Sequence, residues 1–207
     1  ALQNQNLTTA SQSNNVAIGM EAGYAITSGV QNTIIGANAG DGLKDADHNV
    51  AIGFQALTND TFGSRSIAIG YNALVTQNFT TATNSYNIAM GFGAGESVTT
   101  GQYNTLIGGF TGDAVTTGTE NVYIGYQAAT TDNQSDANVV VGALAAGLMN
   151  HGDETGFTTI VGYQAGYYNV TGTSNTLLGY RVGFGVSGNS NANNVGVGRE
   201  SLFNITT

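Results

Sequence analysis

The run Gly183-Phe184-Gly185-Val186-Ser187-Gly188 has the spacing of a dinucleotide-binding fingerprint, whose glycines let backbone approach a pyrophosphate at a helix N-terminus. An Asn-rich stretch follows it instead of a helical pattern, so the element that would hold the phosphate is missing. The only imidazoles are His48 and His151. Both stand in polar connecting segments, outside any nucleophile-elbow context, and read as solvated loop histidines. Asp41, Asp45, Asp47 and His48 crowd one connection beside Lys44. Their spacing fits neither the EF-hand loop nor the calcium-binding glycine-aspartate nonapeptide, so they read as a solvated acidic turn. No catalytic, cofactor-binding or metal-binding residue is assigned, and the chain reads as non-enzymatic.

A different chemistry is offered by Phe54, Tyr71, Phe92, Tyr126, Tyr163 and Tyr180, each of which follows a glycine in a similar local sequence. Aromatic rings with Asn, Gln and Asp nearby suit the stacking of sugar rings, and equally suit the sealing of a corner or a groove between subunits. These six are the candidate surface-binding residues. The segments Gln77 to Tyr86, Leu148 to Gly156 and Gly185 to Asn193 are the other candidates, as insertions expected to emerge as side loops.

The elements that must carry these residues are repeats. The unit Asn49-Val50-Ala51-Ile52-Gly53-Phe54-Gln55-Ala56-Leu57 recurs with its glycine at Gly19, Gly36, Gly53, Gly70, Gly91, Gly108, Gly125, Gly142, Gly162, Gly179 and Gly198. Seven of the ten intervals are 17 residues, and those after Gly70, Gly142 and Gly179 are 21, 20 and 19. A fixed short period marks a repeat array in which each unit packs on its neighbours. The chain therefore reads as a single array over 1–207, with a partial coil at 1–14, eleven repeats over 15–202 and the start of a further coil at 203–207. The ends carry no polar cap, which reads as a segment of a longer chain.

Composition agrees with such an array. Thirteen acidic against four basic residues give a net charge of -9, the wrong sign for displacing counterions from nucleic acid. Apolar runs are too short to span a bilayer as a helix, so no membrane insertion is expected. Cysteine and proline are absent, which leaves a backbone donor at every position for uninterrupted strand stacking. A 17-residue helical repeat would need apolar residues at i, i+3, i+4 and fewer glycines. The fold class is therefore all-β: a parallel β-solenoid of about eleven 17-residue coils, each expected to hold two short strands and two turns. The second strand is placed in stretches such as Tyr24 to Thr27, Ser97 to Thr100 and Ala114 to Thr117. At parallel strand spacing, eleven coils make a rod roughly 50 Å long.

Alternation then assigns faces. The positions three and one before the anchor glycine, such as Val50 and Ile52, share one strand face and are expected to fill the coil. The position between them reads Ala17, Ile34, Ala51, Ala68, Ala89, Leu106, Tyr123, Val140, Ile160 and Leu177, ending in Gly196. An apolar residue is unexpected on a face turned to water, so the first ten of these are the candidate stripe for association with identical chains. Asn15, Asn32, Asn49, Asn87, Asn104, Asn121, Asn138, Asn175 and Asn194 are expected to stack as an amide ladder. The anchor glycines are expected to form a column needing positive φ or close approach.

The forms Asn15-Val16-Ala17-Ile18-Gly19 and Asn49-Val50-Ala51-Ile52-Gly53 resemble the head repeat of YadA-like trimeric autotransporter adhesins. The runs Ile124-Gly125-Tyr126-Gln127-Ala128 and Val161-Gly162-Tyr163-Gln164-Ala165-Gly166 are similar to repeats of bacteriophage tail-fibre proteins. The resemblance covers nearly the whole chain, and departs in the longer coil and in Ser66 and Thr158 standing where Asn is expected. It implies a left-handed β-roll, a homotrimer, and an extracellular place on a virion tail fibre or a bacterial surface. The partner it implies is a host or cell-surface glycan or protein receptor; no cofactor is implied. Two rival readings are an ice-binding solenoid, from the stacked pairs Thr99-Thr100 and Thr116-Thr117, and a polysaccharide-cleaving spike. The threonine pairs do not persist through the coils, and the acids needed for cleavage are scattered over turns.

Overall fold

The computed structural model describes residues 1–5, 12–187 and 190–205. Residues 6–11 of the expected first partial coil, the last residue of the fingerprint at 188 and the end of the chain at 206–207 lie outside the described residues. Thirteen short strands and no helix occur among those described. Eleven strands stack in one parallel sheet: β1 (Val16–Ile18), β2 (Thr33–Ile35), β3 (Val50–Ile52), β5 (Ile67–Ile69), β7 (Ile88–Met90), β8 (Thr105–Ile107), β9 (Val122–Ile124), β10 (Val139–Val141), β11 (Thr159–Val161), β12 (Thr176–Leu178) and β13 (Val195–Val197). Each pairs in register with the equivalent residues of the next coil, as Ala51 does with Ala68 and Ala68 with Ala89. The chain is a parallel β-solenoid with one coil per repeat. β4 (Gly63–Ser64) and β6 (Thr83–Asn84) form a small second ladder.

The expected second strand of each coil does not form as a continuous ladder. In Ser97 to Thr100, the amides of Ser97 and Thr99 reach the next coil at Asp113 O and Thr116 O. The Val98 amide between them turns back to Gly95 O in its own coil. Alternate donors are thus spent on turns. The backbone reason lies just upstream, where the residues two and four after the anchor glycine have positive φ, as at Gln55 (55°) and Leu57 (54°). Such residues curl the chain and prevent extended pairing.

The anchor glycines are required on two counts. Gly108 has φ 137°, and a Cβ on it would stand 2.5 Å from the carbonyl oxygen of Gly125 in the next coil. No side chain fits there, because a Cβ at this φ would point along the stack into the backbone of the next coil.

Which strand face is interior is the reverse of the expectation. Ile34, Ala51, Ala68, Ala89, Leu106, Tyr123, Val140, Ile160 and Leu177 are buried inside the single chain, with Ala17 packed partly buried against the same core. The candidate association stripe is therefore the coil interior. Val50, Ile52, Ile67 and Ile69 face outward and remain partly exposed, while Val16 and Ile18 on the first coil are exposed. The physical reason is width. Tight turns bring the two sides of a coil so close that one central side chain per strand, backed by small residues such as Ala22, Ala39, Ala56 and Ala73, fills it; paired Val and Ile would overfill it.

The amide ladder forms and closes the coils. Asn104 Oδ1 accepts from the Asn121 amide at 3.1 Å, and its Nδ2 donates to Gly118 O at 2.8 Å, 14 residues further on. Asn49 does the same with Ser66 N and Gly63 O. Each side chain thus ties one coil to the next and pins the far corner of its own. Both bonds satisfy backbone groups that the interior would otherwise leave unpaired.

Candidate binding and assembly face

The outward side of the large sheet carries two parallel columns. One runs Val16, Thr33, Val50, Ile67, Ile88, Thr105, and the other Ile18, Ile35, Ile52, Ile69, Met90, Ile107, both continuing through β9 to β13. Apolar groups half-exposed along a whole 11-stranded sheet make a patch about 50 Å tall. Patches of that extent on soluble chains mark interaction surfaces.

The six candidate aromatics border this face, each two residues beyond the outward Ile, Met, Val or Leu of its strand. They are between 43% and 54% exposed. Register stacks them: Phe54 on Tyr71 with centroids 5.4 Å apart, Tyr71 on Phe92 at 4.7 Å, and Tyr163 on Tyr180 at 5.8 Å, all with interplanar angles of 16° or less. Phe110 closes onto Phe92 at 5.1 Å with a tilt of 59°, and the Arg199 guanidinium lies 5.5 Å from the Tyr180 centroid. Rings stacked along a rod spend their faces on one another and present edges to solvent. A sugar stacks on a face, so only interruptions in the column offer the geometry that sugar stacking needs.

On the opposite edge, Tyr86 stacks on Tyr103 at 5.6 Å, with the Arg65 guanidinium 5.8 Å from Tyr86 and bonded to Asn84 Oδ1. Farther round the coil, Phe184 stacks between Tyr167 and Phe203, and the Arg181 guanidinium lies 4.2 Å from Phe184 and 4.6 Å from Phe203. Neither column was read from the sequence. Their signal is a same-position match one repeat apart, available at Tyr86 and Tyr103 or Phe184 and Phe203.

The polar candidates disperse. Asp45 accepts from the hydroxyls of Thr27 and Ser28, bonds that hold its carboxyl below the usual carboxylate range. Asp47 Oδ1 accepts from the Val30 amide at 2.8 Å. These acids cap neighbouring coils instead of converging, and among the described residues no group of three or more His, Cys, Asp or Glu is placed to hold a metal ion. His48 has φ 61° in a corner. His151 is buried, not solvated, with Nε2 3.1 Å from Gly172 O. Gly183 to Ser187 form turn and irregular backbone, and no helix follows them among the described residues. The insertions are partly woven into the stack: Gln77 is fully buried, Thr83 pairs with Gly63, and Thr155 bridges Asp136.

Two buried polar clusters also escaped the sequence reading. Asp60 Oδ1 accepts from the amides of Gly63 and Phe79, both at 3.0 Å, and its Oδ2 from Gln77 Nε2 at 2.6 Å. Gln77 in turn accepts from Asn87 Nδ2 at 2.9 Å, bridging the place where Ser66 breaks the ladder. Asp132 accepts from the hydroxyls of Tyr123 and Ser135. Burial raises both carboxyls above the ordinary aspartate value, and raises the Tyr123 phenol well above its own. Enclosed inside the coil, these groups organise the interior. The sequence signal was present seven residues after each anchor glycine, where Ile26, Leu43, Val98 and Val115 alternate with Asp60, Gln77, Asp132 and Asn169.

Comparison of the chain with protein-family models, curated proteins and solved structures gives no match.

Proposed function

We propose that the chain is a non-enzymatic segment of an extended, extracellular attachment fibre, of the kind found in phage tail fibres, in which three copies associate along their outward apolar columns. The observation carrying this reading is the unbroken Val/Ile/Thr and Ile/Met/Val/Leu face along eleven coils. A partner that covers it must repeat at the same coil spacing. A second copy of the chain, parallel and in register, has that period by construction, and a closed arrangement leaves no copy with an uncovered face. The number three comes from the resemblance to trimeric adhesin head repeats. A rod with three equal sides presents each weak surface contact in triplicate, so that avidity comes from effective concentration.

Sedimentation equilibrium tests the assembly. Three times the 21.1 kDa of one chain is expected, and a mass of one chain at micromolar concentration overturns it.

A further inference from the structure

We infer that the break in the aromatic column at Ala143 is a binding slot for one neutral pyranose ring, with Tyr126 and Tyr163 as its two walls. The inference rests on the attachment reading above and names the chemistry that the fibre would grip.

The slot follows from register. β9, β10 and β11 are consecutive neighbours in the sheet, with Ile124 paired to Val141 and Val141 to Val161. The residues two further on are therefore Tyr126, Ala143 and Tyr163 in successive coils, and the middle one is a methyl group. Two coil spacings separate the tyrosine positions by about 9.6 Å. Rings at van der Waals contact on both sides of a guest need about 7–8 Å between wall planes. A flat guest would leave slack, and a puckered chair with its substituents takes it up.

Other breaks do not open in the same way. At Gly109 the gap is closed, because Phe110 folds onto Phe92 and Tyr126 itself leans over the glycine, with its Cδ2 3.5 Å from where a Gly109 Cβ would stand. At Ala37 one flank is Met20, so only Phe54 offers a ring. Tyr126, alone among the six candidate aromatics, is in no stacked pair with another described ring, and it is the most exposed of them at 54%. Gln127 and Gln164, partly exposed beside the two walls, offer amide donors and acceptors for ring hydroxyls. A chain of net charge -9 disfavours acidic sugars and selects neutral ones.

The test uses the assembled protein and neutral oligosaccharides of glucose, galactose, mannose and N-acetylglucosamine, with binding followed by calorimetry and by quenching of tyrosine fluorescence. At least one series is expected to bind. Tyr126→Ala should weaken that binding at least tenfold. Ala143→Tyr, which completes the column in the manner of Tyr71 between Phe54 and Phe92, should abolish it while leaving the sedimentation mass and thermal midpoint unchanged or higher. No binding by any series, or undiminished binding by the Ala143→Tyr protein, overturns the slot. Either result leaves the measured mass, and so the assembly reading, standing on its own.

Discussion

Leu202 shares with Val182 the space that Gly196 leaves empty: a Cβ on Gly196 would stand 2.9 Å from Leu202 Cδ1 and 2.8 Å from Val182 Cγ2. The two positions, six residues apart, trade volume through the stack. Ala51 goes with Leu57 and Ala68 with Leu74, whereas Ile34 goes with Gly40, Leu106 with Gly112, Ile160 with Gly166 and Leu177 with Gly183. A Cβ on Gly112 would meet Leu106 Cδ2 at 2.9 Å, which is why the larger partner excludes a side chain. Ala89 with Gly95 departs from this exchange, and there Leu106 and Leu74 of the neighbouring coils close on the glycine, 2.7 and 3.1 Å from where its Cβ would stand; the interior is close-packed, with volume shared within and between coils.

That exchange can be measured by a double-mutant cycle. Leu57→Gly should cost about 2–5 kcal/mol from the cavity, and Ala51→Ile about 1–3 kcal/mol from overpacking. The double variant recreates the Ile34/Gly40 pairing, and should recover about 1 kcal/mol or more relative to the sum. Additive denaturation midpoints would show that the two sites do not share volume.

The ladder makes a second expectation. Asn104 is fully buried, and its side chain satisfies Asn121 N and Gly118 O. Asn104→Ala orphans one donor and one acceptor, each costing about 1–3 kcal/mol in the interior. A urea-unfolding loss of about 2–4 kcal/mol is expected, against a change within about 0.5 kcal/mol for an exposed control such as Thr100→Ala. Equal effects would deny the ladder its structural role.

Much of this was legible in the sequence. The period placed all eleven strands of the large sheet, because a solenoid converts sequence spacing directly into register, and Asn49 and Gly53 announced the ladder and the glycine column by recurring. What was not legible was direction. Alternation states that Val50 and Ile52 share a face and that Ala51 opposes them, but it is symmetric about which face is enclosed. Hydrophobicity argued for Val50 and Ile52, and the decisive quantity was the narrow width of the coil, set by turns whose positive φ residues such as Gln55 and Leu57 carry no distinctive composition. Asp60 and Gln77 were missed for a related reason, since a polar residue in a Gly-rich turn reads as solvated until the coil is closed around it.

The buried carboxyls fix the sign of the pH dependence. Burial raises Asp60 and Asp132 above the ordinary aspartate value of 3.8, so the folded state holds their protons to higher pH than the unfolded chain does. Their contribution to stability is complete below the unfolded value and is lost as pH rises through the folded values. Thermal midpoints should therefore climb on acidification from neutrality toward that range. Asp60→Asn keeps an acceptor for Gly63 N and Phe79 N and removes the charge. It also sets an amide donor against Gln77 Nε2 where Oδ2 had accepted, so the expected effect is on the slope: the dependence of the midpoint on pH should flatten, and a slope equal to that of the wild type would contradict the assignment.

The reversed strand faces give the sharpest contrast, because neighbouring residues should fail in different ways. Ala68 is enclosed between Ala51 and Ala89, so Ala68→Asp buries a carboxylate with no partner, at a cost of several kcal/mol. The coil should unfold, with loss of the β-sheet circular dichroism signal. Ile69 points outward, and Ile69→Asp puts a solvated charge on the surface of one chain, costing the fold about 1 kcal/mol or less. In an assembly the same change brings identical carboxylates together where apolar columns met, a like-charge contact worth several kcal/mol against association. The expected result is a protein that keeps its β-sheet spectrum and sediments as one chain. If Ile69→Asp retains the wild-type mass, the association surface lies off the large sheet; if Ala68→Asp folds normally, the interior lies on the other side of the strand.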